Sequence, residues 1–143
     1  MSGEVVVPTL PLLGPSRREK PTRRSIDEVL ADARSRLRRL SPPEAVVARD
    51  HGAVVVDIRP AAQRAAEGGP GGVLVVERNV LEWRFDPAST ARLPIADYGL
   101  QVVVLCQEGY TSSLAAAALQ DLGVWRATDV VGGWAAWRTA LPG

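Results

Sequence analysis

The sequence predicts an α/β protein built on a central, mainly parallel sheet with helices on both faces. Three observations predict it. Short runs of β-branched residues, such as Val54-Val55-Val56 and Val102-Val103-Val104-Leu105, are continuously apolar, as strands covered on both faces are. Segments of helical pattern alternate with these runs, the rhythm of βαβ units. Glycine and proline punctuate the boundaries, most densely at Gly68-Gly69-Pro70-Gly71-Gly72.

The elements follow in order. Residues 1–24 read as a flexible leader, rich in proline and carrying Arg17, Arg18, Lys20, Arg23 and Arg24. Residues 25–41 read as an N-terminal amphipathic helix. Ser25 and Glu28 form a capping box, and Ile26, Leu30, Ala33, Leu37 and Leu40 make one apolar stripe. Pro42 and Pro43 end it. Ser41 and Glu44 suit the start of a short second helix through Val47. Ala53 to Ile58 is a strand, Ala61 to Glu67 a short helix and Val73 to Val76 a second strand. Leu81 to Phe85 makes a helical turn, and 86–100 is irregular. A strand over Val102–Leu105 is followed by a helix from Ser112 to Leu122, closed by Gly123. Thr128 to Val131 is the last strand, and Trp134 to Leu141 the last helix. Residues 42–143 thus form the main domain.

Composition sets broad limits. At 143 residues, one domain is the natural expectation. A net charge of +1 gives no global reason to expect nucleic acid or a membrane surface. Between residues 17 and 39, nine basic residues face four acidic ones. A solvated helix face with a loose tail explains that surplus most simply. No apolar run reaches the length of a membrane span, and Met1 to Pro15 is a poor signal peptide, so a cytoplasmic location is expected. One cysteine cannot form an internal disulfide. The single histidine, His51, lies at a turn far from Cys106 in sequence, so neither a metal site nor a cofactor is expected.

Cys106 is the residue with chemistry. It follows a strand and precedes a helix, at the carboxyl end where parallel sheets bind ligands. A thiol there faces the unpaired N–H groups of the helix start and the positive end of its dipole. Those features favour the anionic sulfur, which is the nucleophile. The polar segment Gln107-Glu108-Gly109-Tyr110-Thr111 argues against a merely structural cysteine.

Three segments together carry a resemblance. Val54-Val55-Val56-Asp57-Ile58-Arg59 contains an Asp-x-Arg signature. Cys106-Gln107-Glu108-Gly109-Tyr110-Thr111 is a six-residue loop followed by Ser112-Ser113. Asp129-Val130-Val131-Gly132-Gly133-Trp134-Ala135-Ala136-Trp137 is a closing Gly-Gly-aromatic segment. In order and separation these resemble the rhodanese superfamily of sulfurtransferases in its small single-domain form, over residues 42–143.

The resemblance implies a rhodanese-like fold and sulfane-sulfur transfer. Cys106 would be catalytic, taking sulfur from a small donor such as thiosulfate, or from a protein persulfide, and passing it to a thiol or cyanide. Gln107, Glu108, Gly109, Tyr110, Thr111 and Ser112 would form the loop that holds the persulfide. An anionic terminal sulfur needs several donors, which the amides of a curled loop supply. Gly109 permits backbone angles closed to other residues. Thr111 and Ser112 are expected to donate hydroxyl hydrogen bonds, and Ser112 also to cap the helix. Tyr110 either faces substrate or simply packs.

Protein tyrosine phosphatases instead use Cys-x5-Arg, whose arginine grips phosphate. That place is Ser112 here, and no arginine lies between Cys106 and Arg126. Rhodanese-fold phosphatases and arsenate reductases carry a loop one residue longer. Gln107 and Glu108 stand where efficient thiosulfate users often have basic residues, so Glu108 is expected to repel an anionic donor. Gly68–Gly72 is shorter than the family's usual segment and lacks its histidine. Asp57 and Arg59 are expected to make structural contacts, Arg78 and Arg84 to lie on the surface rather than at a pocket mouth, and Trp83, Trp134 and Trp137 to pack. The competing expectation is a non-catalytic interaction module with the basic leader as a docking arm.

Overall fold

The computed structural model describes residues 20–141. Four strands form one sheet: β1 (Val54–Asp57), β2 (Leu74–Val75), β3 (Val102–Leu105) and β4 (Thr128–Asp129). Their spatial order is β2-β1-β3-β4, and every pairing is parallel. The valine-rich β1 and β3 are the two central strands, paired from Val54–Val102 to Asp57–Leu105. Centrality explains their unbroken apolar character, since a central parallel strand meets helices above and below.

Side chains alternate between two cores. Val56, Ile58, Val102, Val104 and Cys106 lie in one, with Leu81 and Phe85 of α4 (Leu81–Phe85) and Ala115, Ala116 and Leu119 of α5 (Thr111–Asp121). Val55, Val103 and Leu105 lie in the other, with Ala45 of α2 (Pro42–Asp50) and Trp137 of α6 (Gly133–Ala140). The period of two along each strand thus divides the residues between the faces. The short α3 (Ala61–Glu67) connects β1 to β2.

The N-terminal helix, α1 (Ile26–Ser35), starts at the expected capping box, with both reciprocal hydrogen bonds made. It packs against α5. It does not run to Leu40, however. Leu37 packs into the first core and Leu40 into the second, on opposite faces of the sheet. One helical stripe cannot reach both. The chain therefore leaves the helix and lays Leu40 beside Val130 in a parallel bridge. Leu40 N–H donates to Asp129, and Val131 N–H donates to Leu40.

Three further expectations are corrected. The second helix continues past Val47 to Asp50, closed by His51, which is exposed. Trp83 is not a packing aromatic: it is 60% exposed. The last strand stops at Asp129 rather than Val131: the Val130 N–H still donates to the Val104 carbonyl, and beyond that Val130 forms an isolated bridge with Leu40. The leader lies largely outside the described residues; 20–25 are exposed and non-helical.

Candidate active site

Cys106 follows β3 directly, and the chain from Gln107 to Tyr110 curls before α5 begins at Thr111. Cys106 is only 4% exposed, yet it lines a cavity of about 640 Å³. The Gly109 N–H donates to Sγ at 3.2 Å and the Ser112 N–H at 3.4 Å. The N–H groups of Gln107, Glu108, Tyr110 and Thr111 have no acceptor among the described residues. A curled loop with free amides beside a sulfur can hold an anion bonded to that sulfur.

The loop's carbonyls are held on its outer side. The Trp134 N–H donates to the Cys106 carbonyl at 2.8 Å, and the Ala135 N–H to that of Gln107 at 3.0 Å. These donors are the first turn of α6, whose N–H groups lack intrahelical partners. In a trans peptide the C=O and N–H point in opposite directions. Fixing the Cys106 and Gln107 carbonyls therefore turns the N–H groups of Gln107 and Glu108 the other way. Gly109 has φ +86°, and a Cβ on it would lie 2.7 Å from the backbone nitrogen of Gly132. Only glycine fits there.

Ser112 differs from expectation in an instructive way. No side chain caps α5; Tyr110 is its N-cap residue, in right-handed helical geometry. The backbone of Ser112 serves the sulfur, while its hydroxyl donates to Asp129 Oδ2 at 2.7 Å. The Ser113 hydroxyl donates to the same oxygen at 2.7 Å. Thr111 lines the cavity and is exposed. Tyr110 is exposed and lines the cavity too, with the Arg34 guanidinium 5.5 Å from its ring centre.

On the opposite wall, Arg59 is a buried hub. It pairs with Asp57 at 2.7 Å and donates to the Gly68 carbonyl and to Gln107 Oε1, each at 2.8 Å. The expected structural contact is therefore present and extends to the loop through Gln107. Arg78 lines the cavity and pairs with Glu82 at 2.7 Å. Arg84 does not line it, and donates instead to the Ala91 carbonyl. The cavity thus has two arginines, both paired to carboxylates, together with Glu77 and Glu108.

Sequence reasoning missed a second layer behind the loop. Arg34 Nη2 donates to the Gly109 carbonyl at 2.7 Å and its Nε to Ser113 Oγ at 3.1 Å. Arg39 Nη2 donates to the same carbonyl at 3.1 Å, and its Nε to Asp129 Oδ1 at 2.8 Å. The carboxylate of Asp129 is fully buried. These two arginines do not belong to a solvated face. For Arg34 a signal existed: it lies four residues after Leu30, on the apolar stripe itself. Arg39 gave none, because it lies beyond the end of the helix.

The sequence profile of the rhodanese-like domain family matches residues 41–140. Among curated proteins, the chain is 32% identical over 109 residues to thiosulfate sulfurtransferase GlpE of Pseudomonas entomophila, covering 76% of this chain and 92% of that protein. It is 33% identical over 108 residues to GlpE of Pseudomonas fluorescens strain SBW25, covering 76% and 91%. A solved protein of unknown function from Rhodopseudomonas palustris, described as a possible tyrosine phosphatase, superposes with a TM-score of 0.74. It is 31% identical, over 86% of this chain and 96% of that one. The human single-domain sulfurtransferase TSTD1 superposes with a TM-score of 0.59 at 22% identity, over 71% and 95%, a likeness of fold.

Proposed function

The chain belongs to the rhodanese-like domain family and is a sulfurtransferase, and we propose that it moves sulfane sulfur through a persulfide on Cys106. The observation that carries this reading is the pair of amides, from Gly109 and Ser112, directed at Sγ in a loop with further unpaired amides. They favour negative charge on the bound sulfur, and the neighbouring amides suit a second sulfur attached to it.

The steps are two displacements at sulfur. The Cys106 thiolate attacks the outer sulfur of the donor, and a new S–S bond forms. The donor's own bond to that sulfur breaks, and the electron pair leaves with the remainder: sulfite from thiosulfate, or a thiolate from a low-molecular-weight persulfide. The acceptor, a thiol or cyanide, then attacks the terminal sulfur. The Cys106 thiolate leaves with its electron pair, ready for another cycle. A leaving thiolate takes its proton from water.

Between sulfur and phosphate, one residue favours sulfur. A phosphate-gripping loop needs a cation at the place held here by Ser112, and the Ser112 side chain is turned away to Asp129. Between donors, the cavity's charges favour a persulfide over thiosulfate. Arg59 and Arg78 are already paired, and Glu108 sits exposed on the loop. A dianionic donor therefore meets no uncompensated cation from those two side chains.

The test is direct. The full chain is incubated separately with thiosulfate, polysulfide and a low-molecular-weight persulfide, and its intact mass is measured. A gain of one sulfur atom, reversed by cyanide and absent in Cys106→Ser, is the expected result. If no donor adds sulfur to the folded chain, the persulfide reading is wrong.

A further inference from the structure

The carbonyl of Gly109 is held from outside the residues that the family profile matches. The family match begins at residue 41, whereas Arg34 and Arg39 precede it. Both guanidinium groups converge on the carbonyl oxygen of Gly109, at 2.7 Å and 3.1 Å. Each is anchored a second time, Arg34 on Ser113 Oγ and Arg39 on Asp129. Ser113 in turn donates to Asp129, so both arginines and α5 are tied into one network. Arg39 is mostly buried and Asp129 fully so. A solvent-facing charge cluster would show no such convergence.

We propose that Arg34 and Arg39 are positioning residues for the sulfur-transfer reaction, acting through the Gly109–Tyr110 peptide; this rests on the persulfide reading above. The peptide is trans, so holding its carbonyl outward turns the Tyr110 N–H inward, to the side of the curl where Gly109 N–H already meets Sγ. Two cations on the carbonyl also polarise the peptide and make that N–H a stronger donor. The segment from Ser25 to Leu40 therefore completes the anion-binding loop rather than merely decorating the fold. Its last residue is fixed by the bridge to Val130, next to Asp129, which sets where Arg39 can reach. Neither arginine touches substrate. Their effect falls on the bound sulfur and not on donor recognition in the cavity.

The experiment uses the full chain and four variants: Arg34→Met, Arg34→Lys, Arg39→Lys and Arg36→Met. Arg36 lies on the same segment but pairs with exposed Asp121, and serves as the control. Single-turnover loading with polysulfide is followed by mass, and the Tyr110 amide by proton NMR. In the wild-type chain, loading moves the Tyr110 amide proton downfield. Arg34→Met and Arg39→Lys lose that shift and load about tenfold more slowly, while the half-saturating polysulfide concentration stays within about twofold. In Arg39→Lys the single ammonium is held by the buried Asp129 carboxylate and leaves the carbonyl. In Arg34→Lys only the neutral Ser113 hydroxyl competes, so a cation stays on the carbonyl and most of the rate is recovered. Arg36→Met matches wild type in every readout. A merely structural role would lower thermal stability without moving the amide resonance of the loaded protein. A Tyr110 amide that does not respond to loading, or Arg34→Met and Arg39→Lys loading at the wild-type rate, would overturn the proposal. If the wild-type chain takes up no sulfur, the persulfide reading alone fails. Alkylation of Cys106 by iodoacetamide then decides the geometry: several-fold slowing in Arg34→Met, with Arg36→Met unchanged, upholds it, and equal rates refute it.

Discussion

Gly133 approaches the carbonyl oxygen of Cys106 so closely that a methyl group on it would overlap that oxygen, and would lie 2.7 Å from the Gln107 carbonyl carbon. Its φ of +61° is a second demand for glycine. The approach lets the first turn of α6 reach two loop carbonyls. Gly133→Ala is therefore expected to cost about 2–4 kcal/mol, from strained backbone plus steric overlap. Urea unfolding measures the loss. Because the overlap falls on the loop proposed to hold the persulfide, the folded fraction is also expected to load sulfur more slowly. Wild-type stability with wild-type loading would refute the role assigned to this contact.

Arg59 and Asp57 form a buried pair, 1% and 2% exposed, with two nitrogens of Arg59 on the carboxylate. Removing the cation alone strands a carboxylate in the core. Arg59→Met is expected to destabilise the fold by about 3–5 kcal/mol, read by urea unfolding. Combining it with Asp57→Asn removes the stranded charge and recovers a large part of that loss. Recovery distinguishes an uncompensated charge from simple loss of packing, which Asn would not repair.

What was legible from the sequence had local causes. Ser25 with Glu28 and Ser41 with Glu44 announce two helix starts within four residues each, and both capping boxes form. The valine runs announce central strands because burial on both faces leaves no polar positions. Cys106 stands at a strand-to-helix loop for the same local reason. The misreadings have distant causes. Leu37 and Leu40 continue the stripe of α1, but opposite faces of the sheet claim them. Arg34 and Arg39 meet Gly109, 75 and 70 residues away, and Asp129 lies 90 residues from Arg39. No window of sequence contains both ends of such contacts. Trp83 is apolar and exposed, and no nearby residue marks it as such.

The two capping boxes carry a pH dependence. The Ser41 backbone N–H, and then the Ser41 side chain, hold the Glu44 carboxyl below its ordinary value of 4.5. Ser25 does the same for Glu28. A carboxyl whose value is lowered by folding stabilises the folded state when ionised. That contribution is complete above the ordinary value near 4.5 and is lost as pH falls through the lowered folded value. Urea midpoints of the wild-type chain should therefore decline on acidification below that point. In Glu28→Gln/Glu44→Gln, which keeps the side-chain length and an accepting oxygen, the decline should be shallower. An identical acid limb in the double variant would rule the boxes out as its source.

Glu108 is the residue on which donor choice is expected to turn. It lines the cavity, is exposed on the loop that holds Cys106, and has no ion-pair partner among the described residues. An unpaired anion at the entrance repels a dianion more than a singly charged or neutral donor. Glu108→Gln should raise kcat/KM for thiosulfate about threefold, and Glu108→Lys about tenfold, with most of the change in KM. For a hydropersulfide that carries an ammonium group and so has no net charge, both variants should stay within about twofold of wild type. Raising ionic strength should shrink the thiosulfate difference, because an exposed charge is screened. Equal gains with charged and neutral donors would mean that Glu108 acts on the loop's conformation instead of on the donor's charge.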